Sequence, residues 1–425
     1  MSKAADIETG HAGRQERGSA GQHQGVAMKK GWTWKRLSDL YKIGSSKRVL
    51  QSQWKSEGVP FYRGREVTRL AADGFVDNVL FISEKHFAEL SKEYGVPKAG
   101  DIVITAIGTI GNSHVVRSTD RFYFKDASVL WMKRTAEVSS EFVNLWLKSP
   151  AFFDQLDRGN GATVDTLTIQ KLQSVEIAVP PLAEQQRIVG LLDEAFEGLA
   201  TAKANAEKNL QNARALFESH LQSVFTQRGP GWVETTLEEI GKTQTGSTPK
   251  TSDQSNYGDF ISFVKPGDFN TDGTLDYDKA GLSESGAEGA RIVPSGSVLM
   301  VCIGATIGKC GYCDQDVTTN QQVNALTPSD GSSNRFIYYQ MLTETFQRKV
   351  IHASGQATLP IINKSKWSAL SVWLPPKVAE QKKIAAKLDA LTEETQRLAR
   401  LYERKLAALE ALKKSLLHQA FSGAL

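Results

Sequence analysis

The sequence predicts a mixed α/β (α+β) protein. It reads as two tandem copies of one globular domain, each followed by a long α-helix, with the two helices pairing as an antiparallel coiled coil. Three observations predict this. The chain repeats itself at a spacing near 200 residues, each repeat holds short apolar runs bounded by glycines, and each ends in a diproline that leads into heptad-spaced apolar positions.

The repeat is legible in order along the chain. Gly31-Trp32 with Leu37 and Leu40 matches Gly231-Trp232 with Leu237 and Ile240. The run Gly100–Gly108, continuing to Gly111, matches Gly296–Gly304, continuing to Gly308. Thr163–Pro180 matches Thr358–Pro375, with Val175, Ile177 and Val179 in register with Leu370, Val372 and Leu374. Each copy then reads Pro-Pro, at 180–181 and 375–376, followed by Ala183-Glu184-Gln185 or Ala379-Glu380-Gln381. The segments are a polar, Gly-rich leader over 1–27, domains over 28–179 and 231–374, and helices over 180–227 and 375–425. The leader reads as disordered.

Within each domain, Asp101–Ile107 and Ser297–Ile303 read as buried strands, and Val175–Val179 and Leu370–Leu374 as closing strands stopped by the diproline. Glu141–Leu156 and Asn334–Val350 have helical spacing. Pro181 and Pro376 suit the first turn of the long helices. The first helix carries a seam through Ile188, Leu192, Ala195, Leu199, Ala202, Ala206, Ala213 and Val224. The second carries one through Ile384, Leu388, Leu391, Leu398, Tyr402, Leu409, Leu412 and Leu416. Helices of about 40 residues span about 60 Å, longer than a domain of this size, so the seams face each other rather than their own domains.

Composition narrows the class. A chain of 425 residues with 40% hydrophobic and 23% charged side chains is a soluble multidomain protein. No apolar run reaches the roughly 20 residues of a membrane span, so no membrane association is expected. Three cysteines imply no disulfide framework and a reducing, cytoplasmic setting. Cys310 and Cys313 have C-x-x-C spacing but no second ligand pair, so buried thiols are expected and no metal. Residues 28–179 carry 22 basic and 17 acidic side chains, a net +5, whereas residues 231–374 carry 11 and 15, a net −4. DNA binding would therefore need cations gathered on one face.

No catalytic signature is present. Gly304–Gly308 with Lys309 has three residues between its glycines where a phosphate loop needs four, and Cys310 follows where that loop needs Ser or Thr. His86, His114, His220, His352 and His418 lack carboxylate or cysteine partners at ligand spacing. The loops instead offer amides, hydroxyls and cations of the kind that contact bases and phosphates. In the first copy these are Ser45, Ser46, Lys47, Arg48, Gln51, Gln53, Lys55, Arg63 and Arg65. In the second they are Lys242, Gln244, Ser247, Thr248, Lys250, Lys265, Asn320, Gln321 and Gln322. For any one of them a solvated turn is the competing reading.

The doubled Pro-Pro…Glu-Gln segment (two residues between in the first copy, three in the second), the Thr245–Pro249 loop and the ending Ala420-Phe421-Ser422-Gly423 resemble the specificity subunit of type I restriction-modification systems, over residues 31–425. The resemblance implies two target-recognition domains reading a bipartite double-stranded DNA site, and paired helices that act as a ruler and as a dock for two methyltransferase subunits. It also implies restriction subunits as partners. S-adenosylmethionine, ATP and Mg would belong to those partners, with no cofactor, metal or catalytic site in this chain. The alternatives are a coiled-coil adaptor that binds protein, favoured by the acidic second domain, and the specificity subunit of a type II combined methylase-nuclease.

Overall fold

The structure, a computed structural model, describes residues 29–77, 80–156, 166–355 and 359–425. The leader over 1–27 and the repeat positions 163–165 and 358 lie outside the described residues. The chain forms two compact units, one of residues up to 202 together with 408–425, the other of residues 203–407.

Among the described residues the first unit holds nine strands: β1 Thr33–Arg36, β2 Tyr41–Gly44, β3 Val59–Tyr62, β4 Phe81–Ile82, β5 Ile102–Thr105, β6 Ser113–Val115, β7 Tyr123–Phe124, β8 Val129–Arg134 and β9 Glu176–Val179. The described residues of the second hold ten: β10 Val233–Thr236, β11 Gly241–Thr245, β12 Tyr257–Val264, β13 Gly281–Leu282, β14 Ile292–Val293, β15 Val298–Val301, β16 Cys310–Tyr312, β17 Val317–Thr319, β18 Val323–Pro328 and β19 Ser371–Leu374. The same plan appears twice. A four-stranded sheet runs β2-β8-β5-β6 or β11-β18-β15-β16, a second sheet runs β4-β3-β7 or β13-β12-β17-β14, and the entry strand pairs with the closing strand, β1 with β9 or β10 with β19. Both entry–closing pairs are antiparallel, joining Thr33 to Val179 and Val233 to Leu374.

The glycine-bounded apolar runs are the central strands β5 and β15, buried at every position. Their side chains alternate between two cores, as strand period demands. Ile102 and Ile104 join one cluster and Val103 another. Val298 and Met300 likewise part from Leu299 and Val301. Both faces being covered explains why these runs are continuously apolar. The cysteines follow the same rule: Cys302 and Cys310 sit in one core and Cys313 in the other, so the C-x-x-C pair does not converge. Burial pushes the Cys302 thiol up to about 12 and the Cys313 thiol up to about 11, so both are neutral packing groups.

Three expectations about helices are corrected. Glu141–Leu156 is two helices, Ser140–Leu147 and Pro150–Leu156, because Pro150 has no N–H to continue the first. Asn334–Val350 breaks at Thr343, whose hydroxyl caps Glu344–Ser354. The prolines precede the long helices rather than opening them. The central helix spans Leu182–Gln227 and the terminal helix Val378–Ser422. The Pro181 carbonyl accepts from the Glu184 and Gln185 amides, and Lys377 takes that position in the second copy.

The Glu-Gln motif has a structural explanation that its spacing does not reveal. Gln185 and Gln381 are 2% and 1% exposed. Gln185 Oε1 accepts from the Ser139 amide at 2.8 Å and its Nε2 donates to the Pro180 carbonyl at 2.8 Å. Gln381 repeats this with the Ser333 amide at 2.8 Å and the Pro375 carbonyl at 3.0 Å. Each glutamine thus clips a long helix to the domain before it. Gln381→Leu keeps the volume but orphans both backbone groups, at about 1–3 kcal/mol each. Urea unfolding is expected to show a loss of that order, against almost none for Glu380→Ala at the exposed neighbour. Equal stability of the two variants would refute the clip.

Each unit also packs a helix end on its domain. Phe421 of the terminal helix lies edge-on to Phe142 at 5.2 Å, beside Trp32, in the first unit. Phe225 of the central helix lies 5.1 Å from Phe336, beside Trp232, in the second. Ile188 and Leu192 share a core with Leu417 and Ala420, and Leu221 shares one with Ala385 and Leu388. Of the remaining seam positions, Leu199, Ile384, Leu391 and Leu409 are half-buried. Leu412 departs from the predicted seam: it is 47% exposed. Beside it Lys413, itself exposed, lies 5.2 Å over the Phe196 ring, and the buried face resumes at Leu417 and Ala420.

Candidate nucleic-acid interface

The edge formed by the ends of β2, β3 and β7 in the first unit, and of β11, β12 and β17 in the second, gathers many of the candidate residues. In the second unit β12 runs parallel to β17, pairing Val264 with Thr319. Lys265 and Asn320 therefore leave the sheet side by side, and the Asn320 amide donates to the Val264 carbonyl at 3.3 Å. The loop after β11 folds onto this exit. The Gly246 amide donates to the Val323 carbonyl at 3.1 Å and the Ser247 amide to the Thr319 carbonyl at 2.8 Å. A Cβ on Gly246 would lie 2.2 Å from the Thr319 carbonyl, so only glycine passes here. The Thr248 hydroxyl donates to Gln321 Oε1. Asn320 Nδ2 donates to Gln322 Oε1 at 2.9 Å, and the Gln322 amide donates back to Asn320 Oδ1 at 3.1 Å. Lys265 Nζ lies 5.0 Å over the Phe263 ring. Two sequence groups some seventy positions apart, Ser247-Thr248 and Asn320-Gln321-Gln322, thus form one polar surface.

The first unit builds the same edge with different side chains. Tyr62 pairs with Phe124, and the Lys125 amide donates to the Tyr62 carbonyl at 2.7 Å. Ser46 Oγ donates to the Phe124 carbonyl at 2.7 Å. Ser45 Oγ accepts from the Ala127 amide at 3.2 Å and donates to the Val129 carbonyl at 3.4 Å. Lys47 Nζ sits 5.3 Å over the Tyr94 ring. Arg48 Nε donates to Asp126 Oδ2 at 3.0 Å. The turn Lys125-Asp126-Ala127-Ser128 is the counterpart of Asn320-Gln321-Gln322. The Ala106 amide bonds to the Ser128 carbonyl where the Cys302 amide bonds to that of Gln322. Sequence reasoning missed this turn, since it shares no residue type with its counterpart and is one residue longer. The extra length is accommodated at Ala127, whose φ of 60° is left-handed. The one available signal was its place immediately before the strand that begins at Val129.

Other candidates hold structure. Arg63 Nε and Nη2 donate to both oxygens of Glu66 at 3.0 and 2.9 Å, and Arg65 Nε joins at 2.9 Å. Burial raises the Glu66 carboxyl, but the bonds from Arg63 and Arg65 outweigh burial and hold its pKa down at about 2. Arg63 is therefore an internal ion pair rather than an open phosphate contact. Gln53 Oε1 accepts from the Leu50 amide at 2.7 Å, closing the turn Gln51–Gln53, and the Lys55 backbone bridges to Phe81. Gln244 Nε2 donates to the Ile292 carbonyl at 2.9 Å. Lys242 and Lys250 are exposed. Lys309, weighed above against a phosphate loop, donates from Nζ to the Phe269 carbonyl at 2.5 Å. His114 does have a carboxylate partner: a turn brings Asp120 to its Nε2 at 2.8 Å, and Arg117 binds the same carboxylate. Burial, the largest influence, lowers the His114 pKa, and the pair is a packed structural one. No helix among the described residues is long and apolar enough to cross a membrane.

Two copies of one α/β domain, each presenting amides, hydroxyls and cations at the same sheet edge and each continuing into a long helix, define a doubled-domain protein. The chain belongs to the type I restriction modification DNA specificity domain family, whose model matches residues 29–210 and again 230–404. It is 31% identical over 188 residues to a putative type I restriction enzyme specificity subunit of Haemophilus influenzae, covering 42% of this chain and 46% of that one. It is 28% identical over 192 residues to the MjaIX specificity subunit of Methanocaldococcus jannaschii, covering 43% of each. The chain thus spans just under half the length of these curated relatives. In fold it resembles a chain from a solved structure on complex assembly and conformational transition of the type I R-M system. The TM-score is 0.76 at 20% identity, covering 94% of this chain and 100% of that one. It also resembles the HsdS subunit from Thermoanaerobacter tengcongensis, with TM-score 0.59 at 19% identity, covering 95% and 99%.

Proposed function

We propose that this chain is the non-catalytic, DNA-reading subunit of a type I restriction-modification complex. Each domain reads one half of a bipartite site through its loop edge. The two long helices pair as an antiparallel coiled coil that sets the unread gap and docks two methyltransferase subunits, alongside restriction subunits. S-adenosylmethionine, ATP and Mg act in those partners.

One observation carries the reading: the same sheet edge is built twice with different polar side chains, which is what reading two different half-sites requires. Helix pairing is supported in the first unit by Lys413 over Phe196, and in the second by Arg214 Nη2 donating to Glu403 at 2.9 Å. The acidic balance of residues 231–374 favours the adaptor reading, and salt dependence separates the two. With about six phosphate contacts, DNA affinity is expected to fall about a thousandfold between roughly 50 and 200 mM salt. The measurement is a titration of the full chain with its methyltransferase partners on a fluorescent duplex. An affinity indifferent to salt would exclude a DNA reader.

A further inference from the structure

Resting on that DNA-reading role, we infer that Arg48, on the Gly-Ser loop of the first domain, and Gln321, on the facing turn of the second, are base-reading side chains at corresponding loop–turn cross-links. Arg48 reads a guanine and Gln321 an adenine. Asp126 and Thr248 are their positioning residues.

In each unit a side chain–side chain bond ties the Gly-Ser loop to the turn before the next strand. In the first it is the Arg48–Asp126 ion pair at 3.0 Å. In the second it is the Thr248–Gln321 hydrogen bond. The backbone frame is matched, through Lys125 to Tyr62 in one and Asn320 to Val264 in the other. The two cross-links therefore join the same loop to the same turn with different chemistries, the reader standing on the loop in the first unit and on the turn in the second.

Asp126 takes the Arg48 guanidinium through Nε, and the Arg48 side chain is 72% exposed. The two Nη groups are left as a parallel pair of donors, the arrangement that matches guanine O6 and N7 in the major groove. The neighbouring arginines do not offer this edge, because Arg63 and Arg65 direct Nε and Nη2 into Glu66. Lys47 and Lys250 are exposed point charges, suited to phosphate rather than to a base pair. In the second unit, Gln321 is exposed and its Oε1 has accepted one hydroxyl. A second lone pair and both Nε2 protons remain, the acceptor–donor pair that matches adenine N6 and N7. Asn320 and Gln322 are tied to each other, and Asn320 is 9% exposed.

The test uses the assembled complex of the full chain with its methyltransferase partners, selecting methylated duplexes from a random library. Arg48→Lys keeps the charge and removes the fork. It is expected to cut base preference about tenfold or more at one position of one half-site, leaving the other half-site as it was. Gln321→Ala is expected to do the same in the other half-site. Thr248→Val should weaken the base pair that Gln321→Ala weakens, and Thr248→Ser should restore it. Retained preference in Arg48→Lys would show a phosphate contact and overturn the assignment, as would loss of both half-sites in either variant with normal thermal melting. A wild-type complex with no sequence preference would instead refute the DNA-reading role itself.

Discussion

Leu388→Asp is expected to abolish cooperative folding of the second unit, whereas Leu412→Asp leaves the protein intact. The heptad pattern treats the two leucines alike. In the structure Leu388 is fully buried, in one cluster with Leu221, Phe225 and Phe336, and Leu412 is 47% exposed. Truncating a buried leucine costs about 2–5 kcal/mol, and burying a carboxylate without a partner adds several more. The total approaches the whole stability of a domain, about 5–15 kcal/mol. An exposed substitution stays within about 0.5 kcal/mol. Thermal unfolding of the two variants beside the wild type gives the answer. A Leu388→Asp protein that melts with Leu412→Asp would mean that this helix face does not pack on the second domain.

The second large effect is on the DNA gap, if the paired helices set it. The buried stripe of the central helix runs through Ile188, Leu192, Ala206, Ala213, Leu221 and Phe225, at spacings that keep one face inward. Four residues inserted at Ala204 add about 6 Å and about 400° of rotation, so the stripe resumes on nearly the same face. A matched insertion at Arg400 lengthens the terminal helix equally. At about 3.4 Å per base pair, the unread gap should widen by one to two pairs, with both half-sites unchanged. Two-residue insertions turn the stripe by about 200° and should destroy folding instead. Methylation mapping reads the spacing directly. An unchanged gap in the matched four-residue variant, with both half-sites still methylated, would remove the helices from that role.

Much of the architecture was legible before any coordinate. Ile102–Ile104 and Val298–Val301 announce buried strands, because a strand covered on both faces has no polar positions to show. Ile188, Leu192 and Leu388 announce their helices by period alone. The Pro-Pro and Glu-Gln repeat located both domain–helix junctions without disclosing what Gln185 and Gln381 do. The candidate edge was legible in part: Ser247-Thr248 and Asn320-Gln321-Gln322 were each visible as polar runs, but not as neighbours. The Lys125–Ser128 turn was not visible at all.

The sequence by itself determined the doubling, the central and closing strands of each domain, and the presence of the two long helices. These follow from local periods, which any stretch of a dozen residues displays. Only the tertiary structure decided which polar side chain meets which. It sent Arg63 into Glu66 and left the outer edge of Arg48 open, joined His114 to Asp120, and left Leu412 exposed while burying Leu417. Hydrophobic burial is non-directional and reads out as pattern. Hydrogen bonds and ion pairs need two groups within about 3 Å at a fixed angle, and sequence spacing carries no record of where the chain crosses itself.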